Sequence, residues 1–441
     1  MGAFFRLNYG YKGKYLAEVS GRYDGSSKFP TNSKWGFFPS ASVAWRVSEE
    51  PWMKWSEEWL DNFKIRLSAG SMGNGNVDPY SYTSEMTVAT ASDIVLGGGL
   101  PSYTTVGSTV PVSLTWEKST TYDLGLDLDF LNNRLSFSGD YYRRYTTDMY
   151  TPSISLPSVY GTTSPKGNNA ELRTTGWELS LTWRDSFKLG GKPFDYSIKA
   201  MVWDNRTVVT KYENATRSLG TLKGYIQNGG SPSDFYEGME LGEMWGYTVA
   251  GLFRDQADID AWPKQSFGDV EPGDIKYLDL NGDGVVDSYD VKPIGYTSIP
   301  EIVYGFGFSL QWKAFDFSAF FQGVGHVNFS TRTDQTQGFI ARNSREANLF
   351  SDVYDNYWTP ERLDAKYPRL FIGTNNNNNQ NSSFWMANGR YMRLKNLEIG
   401  YTLPKHISQK MAMQNMRVYL SGVNLFTFCL LYTSDAADDL I

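Results

Sequence analysis

The sequence holds one cysteine, Cys429, and two histidines, His326 and His406. One thiol excludes an internal disulfide. Two imidazoles far apart in the chain give no basis for a zinc site. No apolar run approaches the roughly 20 residues of a spanning helix, and mean hydropathy is -0.42, so a helical membrane protein is excluded. Net charge is -7, from 41 Lys and Arg against 48 Asp and Glu, and no basic run occurs. That balance argues against nucleic acid as a partner. A nucleophile elbow, a P-loop and a Cys/His pair are all missing, so no enzyme is expected. No signal peptide opens the chain, which we read as the mark of a missing N-terminal part.

Aromatic residues are plentiful: 29 Tyr, 26 Phe and 14 Trp in 441 residues. Together with low mean hydropathy, they suit a membrane barrel, where only alternate residues meet lipid and aromatic girdles mark the interfaces. The hairpin from Tyr122 to Tyr145 shows the unit. Tyr122, Leu124, Leu126, Leu128 and Phe130 alternate with Asp123, Gly125, Asp127 and Asp129. A turn is expected at Asn132 and Asn133, which tolerate left-handed backbone. Leu135, Phe137, Gly139 and Tyr141 return on one face, with Ser136, Ser138 and Asp140 on the other. Each arm has roughly the ten residues of a tilted transmembrane strand, where sandwich strands run to about five or six. Lipid is expected to face Leu124, Leu126, Leu128, Leu179, Leu181, Phe306, Phe308 and Leu310. An Arg at Leu126 is then costly, whereas one at Asp127, on the wet face, is expected to cost far less.

The unit recurs about twelve times. Strands are read over Ala3–Tyr11, Tyr15–Tyr23, Trp35–Val47 with a bulge or end at Pro39, and Phe63–Ala69. Others are read over Trp177–Trp183, Tyr196–Asp204, Tyr304–Trp312, Phe315–Phe321, Tyr391–Leu403 and Met416–Phe428. Glu49–Leu60, with Trp52, Trp55 and Trp59, reads as a short amphipathic helix at one rim. Connections alternate between short turns and long segments. The longest, about Asn205 to Pro300, has no sustained alternation, and another contains the run Asn375–Asn379, read as a solvated flexible loop. Short turns on one side and long loops on the other fit an outer-membrane barrel with long extracellular loops. The fold class is therefore all-β, an antiparallel transmembrane barrel. Acidic pairs such as Asp127 and Asp129 read as solvated wall residues rather than glycosidase carboxylates. The run from Cys429 through Asp439 breaks the pattern and resembles a translated sequencing adaptor, so we divide the chain into a barrel part at 1–428 and a non-native tail at 429–441.

Several stretches resemble the SusC/RagA family of TonB-linked outer-membrane transporters. They are Tyr23-Asp24-Gly25-Ser26-Ser27-Lys28-Phe29 with Trp35-Gly36-Phe37-Phe38-Pro39-Ser40, Glu271-Pro272-Gly273-Asp274-Ile275 leading into Asp279-Leu280-Asn281-Gly282-Asp283-Gly284, Tyr391-Met392-Arg393-Leu394-Lys395-Asn396, and Ser421-Gly422-Val423-Asn424-Leu425-Phe426. The resemblance implies a plugged barrel of about 22 strands in the bacterial outer membrane. It implies TonB-driven import of oligosaccharides or peptides, with a SusD-like surface lipoprotein as lid. It also implies that this chain is a C-terminal part lacking the plug, early strands and last strand, and inactive by itself. A passive porin and a secreted, calcium-stabilised carbohydrate-binding β protein are the alternatives. Loop aromatics such as Tyr80, Tyr82, Tyr103, Trp245 and Trp262 are candidates for stacking on sugars, although packing is the commoner role for such residues.

Asp279–Asp290 matches the EF-hand spacing of oxygen ligands at positions 1, 3, 5, 7, 9 and 12 with Gly at 6. Those positions hold Asp279, Asn281, Asp283, Val285 through its carbonyl, Asp287 and Asp290, with Gly284 at the turn. A structural Ca2+ is expected there. Asp290 stands where Glu is usual, so its shorter arm either makes a weaker contact or lies outside the shell. The same residues also form a polar turn without metal.

Overall fold

The computed structural model describes residues 1–83, 86–92, 94–106, 110, 114–152, 159, 166–212, 235–332, 349–373 and 375–429. In chain order, β1 (Gly2–Tyr11), β2 (Tyr15–Gly25), β3 (Trp35–Arg46) and β4 (Leu60–Asn74) come first. A small hairpin of β5 (Met86–Thr90) and β6 (Ser102–Val106) follows. Then come β7 (Glu117–Phe130), β8 (Leu135–Pro152), β9 (Lys166–Leu189) and β10 (Lys192–Lys211). Among its described residues the longest insertion holds six short strands: β11 (Trp245–Tyr247), β12 (Val249–Leu252), β13 (Lys264–Gln265), β14 (Ile275–Tyr277), β15 (Val285–Val286) and β16 (Val291–Pro293). Next are β17 (Ile302–Trp312) and β18 (Phe315–Gly325), the short pair β19 (Asn328–Ser330) and β20 (Met386–Asn388), and finally β21 (Tyr391–Thr402) and β22 (Arg417–Cys429).

Twelve of these form one antiparallel sheet in the order β1-β2-β3-β4-β7-β8-β9-β10-β17-β18-β21-β22. Sheet order follows chain order, the meander of an up-and-down barrel wall. The twelve expected strands are all present. Several overrun their expected ends: β9 has 24 residues against the seven of its apolar alternation, because lipid imposes alternation only on the part it touches.

Short turns close one rim. Lys12 and Gly13 (φ 53° and 68°) and Gly190 and Gly191 (59° and 74°) are left-handed, matching the twist of the flanking strands. Leu131, Asn132 and Asn133 also have positive φ, near 60°, as the asparagine pair predicts. The connections that follow β2, β4, β8, β10 and β18 all start from the opposite rim. Two local expectations need correction. Glu49–Leu60 is not one amphipathic helix: two 3-10 turns, Val47–Glu49 and Pro51–Ser56, flank Glu50, which is extended at ψ 141°, and Leu60 already begins β4. Pro51 can only start a helical turn, and the turn stops at Ser56. Nor does Pro39 make a bulge. It pairs with Gly21 in β2, and the ladder to β4 begins one residue later, at Ser40, so its missing N–H costs no bond there.

Side chains sort by face as the period of two requires. Val43, Leu67, Leu124, Tyr141 and Trp177 form one cross-strand row on the outer face. Leu124, Leu179, Leu181, Phe306 and Phe308 are each more than a third exposed, as the outward apolar face of a membrane barrel is. Leu126, Leu128 and Leu310 share that face and are half-buried. Trp52, Trp55 and Trp59 are exposed at the short-turn rim, where an aromatic girdle belongs. The largest buried core lies in the long loops, not in the wall: Trp245, Tyr247, Ile275, Tyr277, Val286, Val291 and Trp385 pack together. Among the described residues, no helix is long and apolar enough to cross a membrane.

Candidate lumen wall and extracellular loop site

The inner face carries the charge. Arg66 on β4 donates to both oxygens of Asp127 on β7, at 2.9 and 3.1 Å, and reaches Asp140 Oδ1 on β8 at 2.9 Å. Lys64 Nζ adds a 3.0 Å contact and Ser138 Oγ a 2.9 Å hydrogen bond to Asp127. Gly125 makes room for this network, since a Cβ there would stand 2.5 Å from both Arg66 Cζ and Asp140 Oδ1. Asp127 is thus the hub of an ion network and not a freely solvated wall residue. An Arg in its place would add a third cation beside Lys64 and Arg66, so the expected tolerance of Asp127→Arg does not hold. Asp129 accepts a 3.0 Å hydrogen bond from Asn62. At the far end of the sheet, Arg417 pairs with Asp316 and with Glu398 at 2.5 Å.

Above the long-loop rim, the insertion folds into a lobe. Its anchor is Asp274, fully buried, which accepts from Arg369 Nε at 2.8 Å, from Asn375 and Asn378 amides at 2.9 Å each, and from the Glu271 N–H at 2.9 Å. Four donors satisfy a charge that burial would otherwise make very costly. Gly273 precedes it with φ +91°, and a Cβ there would meet Trp358 at 2.4 Å, which is why Gly-Asp occurs at this point of the sequence.

The asparagine run is therefore not a solvated loop. Asn375, Asn377 and Asn378 are buried. Asn378 Oδ1 accepts the Ile275 N–H at 2.8 Å, and Asn377 Nδ2 donates to the Ile275 carbonyl at 2.8 Å. Gln265 donates to that same carbonyl at 3.0 Å and accepts the Tyr277 N–H at 2.6 Å. Among the described residues β14 pairs only with β12, so its other edge needs partners, and short amides supply both donor and acceptor. The repeated amide was the available signal, because five asparagines serve a buried edge as readily as a wet loop.

The expected metal ligands lie beside this core. Asp279 Oδ1 accepts the Gly282 N–H at 2.6 Å and Oδ2 the Gly284 N–H at 2.8 Å. The Gly284 amide foremost, with its neighbours, holds the Asp279 carboxyl below the usual carboxylate range. Asn281 Oδ1 accepts from the Asp283 N–H and Asp283 Oδ1 from the Val285 N–H, both at 2.9 Å. Asp287 and Asp290 form a reciprocal capping box. Asp290 is fully buried and also accepts from Leu280 and Asn281 amides at 2.7 and 3.3 Å. Among the described residues no three Asp, Glu, His or Cys side chains converge on a metal position. The donor chemistry fits Ca2+, since every group is oxygen and each Asp279 oxygen keeps a lone pair. In this arrangement the side chains serve the turn.

The loop aromatics separate. Trp245 is buried in the lobe core, and Trp262 donates to the Tyr277 carbonyl at 2.8 Å while Lys276 lies 4.0 Å over its ring. Tyr82 packs on the Phe29, Val77 and Leu114 cluster. Only Tyr80 and Tyr103 are exposed. Residues 430–441 lie outside the described residues, while Cys429 ends β22 opposite Tyr391.

The TonB dependent receptor-like, beta-barrel family matches residues 1–291. This chain belongs to that family. The TonB-dependent receptor barrel seen here is 31% identical to TonB-dependent receptor P3 of Formosa agariphila over 96% of this chain and 40% of that protein. It is 28% identical to TonB-dependent receptor SusC of Bacteroides thetaiotaomicron over 90% of this chain and 37% of that protein. The chain therefore spans about two fifths of the length of these curated relatives. The RagAB peptide transporter superposes with a TM-score of 0.74 at 21% identity, covering 97% of this chain and 44% of that one, a likeness of fold. The twelve strands are thus part of an outer-membrane receptor barrel, and the family is one of receptors rather than enzymes.

Proposed function

We propose that this chain is the wall and loop lobe of a TonB-dependent importer that takes up oligosaccharides or peptides with a SusD-like surface lipoprotein over its loops. The observation that carries this reading is the pairing of an ion-networked inner wall, centred on Arg66 and Asp127, with a separately cored lobe on the long-loop rim. An inner wall of fixed, opposed charges suits contact with a plug and a polar solute. The rigid lobe suits contact with a lid. Similarity to TonB-dependent receptor SusC supports TonB-linked import, and the choice between oligosaccharide and peptide is left to the uptake test. Uptake of labelled oligosaccharide or peptide by cells with and without the intact receptor, in TonB-positive and TonB-negative backgrounds, tests it. Import should require both. Uptake that persists without TonB would favour a passive porin.

We further propose a structural Ca2+ at the Asp279–Asp290 loop. Asp279, Asn281, Asp283, the Val285 carbonyl and Asp287 would hold it. Asp290 would tie the loop from beneath, its oxygens already engaged by amides. The ion would fix the lobe near the lid, not take part in chemistry. Calorimetry on the intact receptor should show calcium binding that Asp279→Ala with Asp283→Ala abolishes. Unchanged affinity in the double variant would place any calcium elsewhere.

A further inference from the structure

Arg143 faces the wrong way for a wet wall. Register pairs Ala41 with Ala69, Ala69 with Tyr122, and Tyr122 with Arg143. The next row toward the short-turn rim is Val43, Leu67, Leu124 and Tyr141. Both rows point out of the barrel, on the face of the leucines. The two alanines leave a depression between larger neighbours. A groove of about 620 Å³ results, floored by Ala41 and Ala69 and walled by Val43, Leu67, Leu124 and Tyr122. Along its β8 side stand Tyr141, Arg143 and Tyr145, in that order from the short-turn rim outward.

Arg143 is exposed, and its side-chain partners are the phenols of Tyr141 and Tyr145: Nη2 donates to Tyr141 Oη at 3.3 Å. Its cross-strand neighbours are Tyr122 and Thr175, neither of them acidic. Arg66 on the inner face, by contrast, engages two carboxylates. Arg173, also exposed, lies opposite Tyr145 in the next row outward, so a second guanidinium shares this corner. Arg143 is eight residues along β8 from Leu135 at the short-turn rim, roughly 20 Å along the membrane normal for a strand tilted about 40°. The apolar band is about 25 Å tall, which leaves Arg143 about 5 Å inside its outer edge, where a long guanidinium side chain snorkels to the lipid headgroups. A guanidinium there needs an anion, and it matches phosphate with two parallel N–H donors. The chain's net charge is -7, so any pull on an anion is local to these arginines.

We propose that this groove is a binding site for a phosphate-bearing lipid of the outer leaflet. One acyl chain lies across Ala41 and Ala69, and the phosphate accepts from Arg143, with Arg173 as the second cation. Tyr141 and Tyr145 flank the headgroup with their hydroxyls.

The test is native mass spectrometry of the intact receptor, purified in detergent and titrated with dipalmitoyl phosphatidic acid or with dipalmitoylglycerol, which has the same chains and no phosphate. The receptor should retain the phosphatidic acid about tenfold better, the scale of a charge-assisted hydrogen bond. Arg143→Gln should remove that preference and Arg143→Lys keep part of it. Ala69→Phe, which fills the groove and leaves the arginine, should also expel the lipid. Heat-modifiable migration on gels confirms that each variant is a folded barrel. If Arg143→Gln does not fold, the wild-type comparison and Ala69→Phe decide. Equal retention of both lipids, full retention by Arg143→Gln or Ala69→Phe, or displacement by millimolar inorganic phosphate alone would each overturn the lipid site.

Discussion

Asp274 and Arg369, 95 residues apart in the chain, form an ion pair at 2.8 Å in which the carboxylate has no exposure and the arginine little. The pair joins two loops that leave the barrel at different strands: 212–301 after β10 and 326–390 after β18. It turns them into one lobe. Asn375 and Asn378 complete the shell around the same carboxylate.

Removing the carboxylate should open that lobe. Asp274→Ala leaves the Asn375 and Asn378 amides and the Glu271 N–H without their acceptor, and Arg369 with Glu271 alone at 3.1 Å, a loss on the order of 3 kcal/mol. Hydrogen exchange on the intact receptor should show lost protection in β14 and in residues 375–385, with the twelve wall strands unchanged. Unaltered exchange in β14 would contradict the anchor role.

Alkali should open the lobe before it harms the wall. Burial pushes the Tyr247 hydroxyl up to about 12 and also raises that of Tyr277. A raised folded value means that the unfolded tyrosine ionises first, at about 10. The stability it provides is complete below that pH and is lost between about 10 and 12. Tyrosinate absorbance should therefore rise cooperatively with proteolytic cleavage of the lobe in that window. Smooth titration near 10 with an intact lobe would show these hydroxyls to be accessible.

Faces of one strand should differ sharply. Leu181 on β9 points to lipid and is 43% exposed, while Ser180 points to the lumen. Leu181→Arg should cost roughly 2–4 kcal/mol if it lies near the midplane, and Ser180→Arg much less. Denaturant refolding into lipid vesicles measures both. Equal losses would contradict the two-faced wall.

The sequence made the wall legible because lipid enforces a simple rule. Leu124, Leu126 and Leu128 can alternate with Gly125 and Asp127 only where one face is greasy and the other wet. The asparagine turn at Asn132 and Asn133 was readable for an equally local reason, their tolerance of positive φ. What stayed hidden depends on contacts between distant segments. The asparagine run around Asn377 shows amides in excess but not that one of them will serve the backbone of Ile275, 102 residues away. Asp127 reads as a wet acid until register sets Arg66 and Asp140 beside it. The outer half of β9 carries Glu171, Arg173 and Thr175 in no apolar rhythm, so the alternation that marks this strand starts only at Trp177. The EF-like spacing was visible at once, whereas the burial of Asp290 beneath its own loop was not.

Orientation follows from the loops. In a Cys429→Ser background, Val95→Cys in the β5–β6 segment should react with a membrane-impermeant maleimide on whole cells. Lys192→Cys at a short turn should react only after the outer membrane is opened. The reverse pattern would invert the assignment of outside and periplasm.

The most direct test of the barrel wall is maleimide accessibility along β9 in outer-membrane vesicles, one cysteine at a time from Trp177 to Trp183, in the intact receptor lacking Cys429. Positions Glu178, Ser180 and Thr182 should react from the aqueous phase, and Trp177, Leu179, Leu181 and Trp183 should stay protected. Labelling that ignores this period of two, or protects the opposite set, would contradict a wall with lipid on its leucine face.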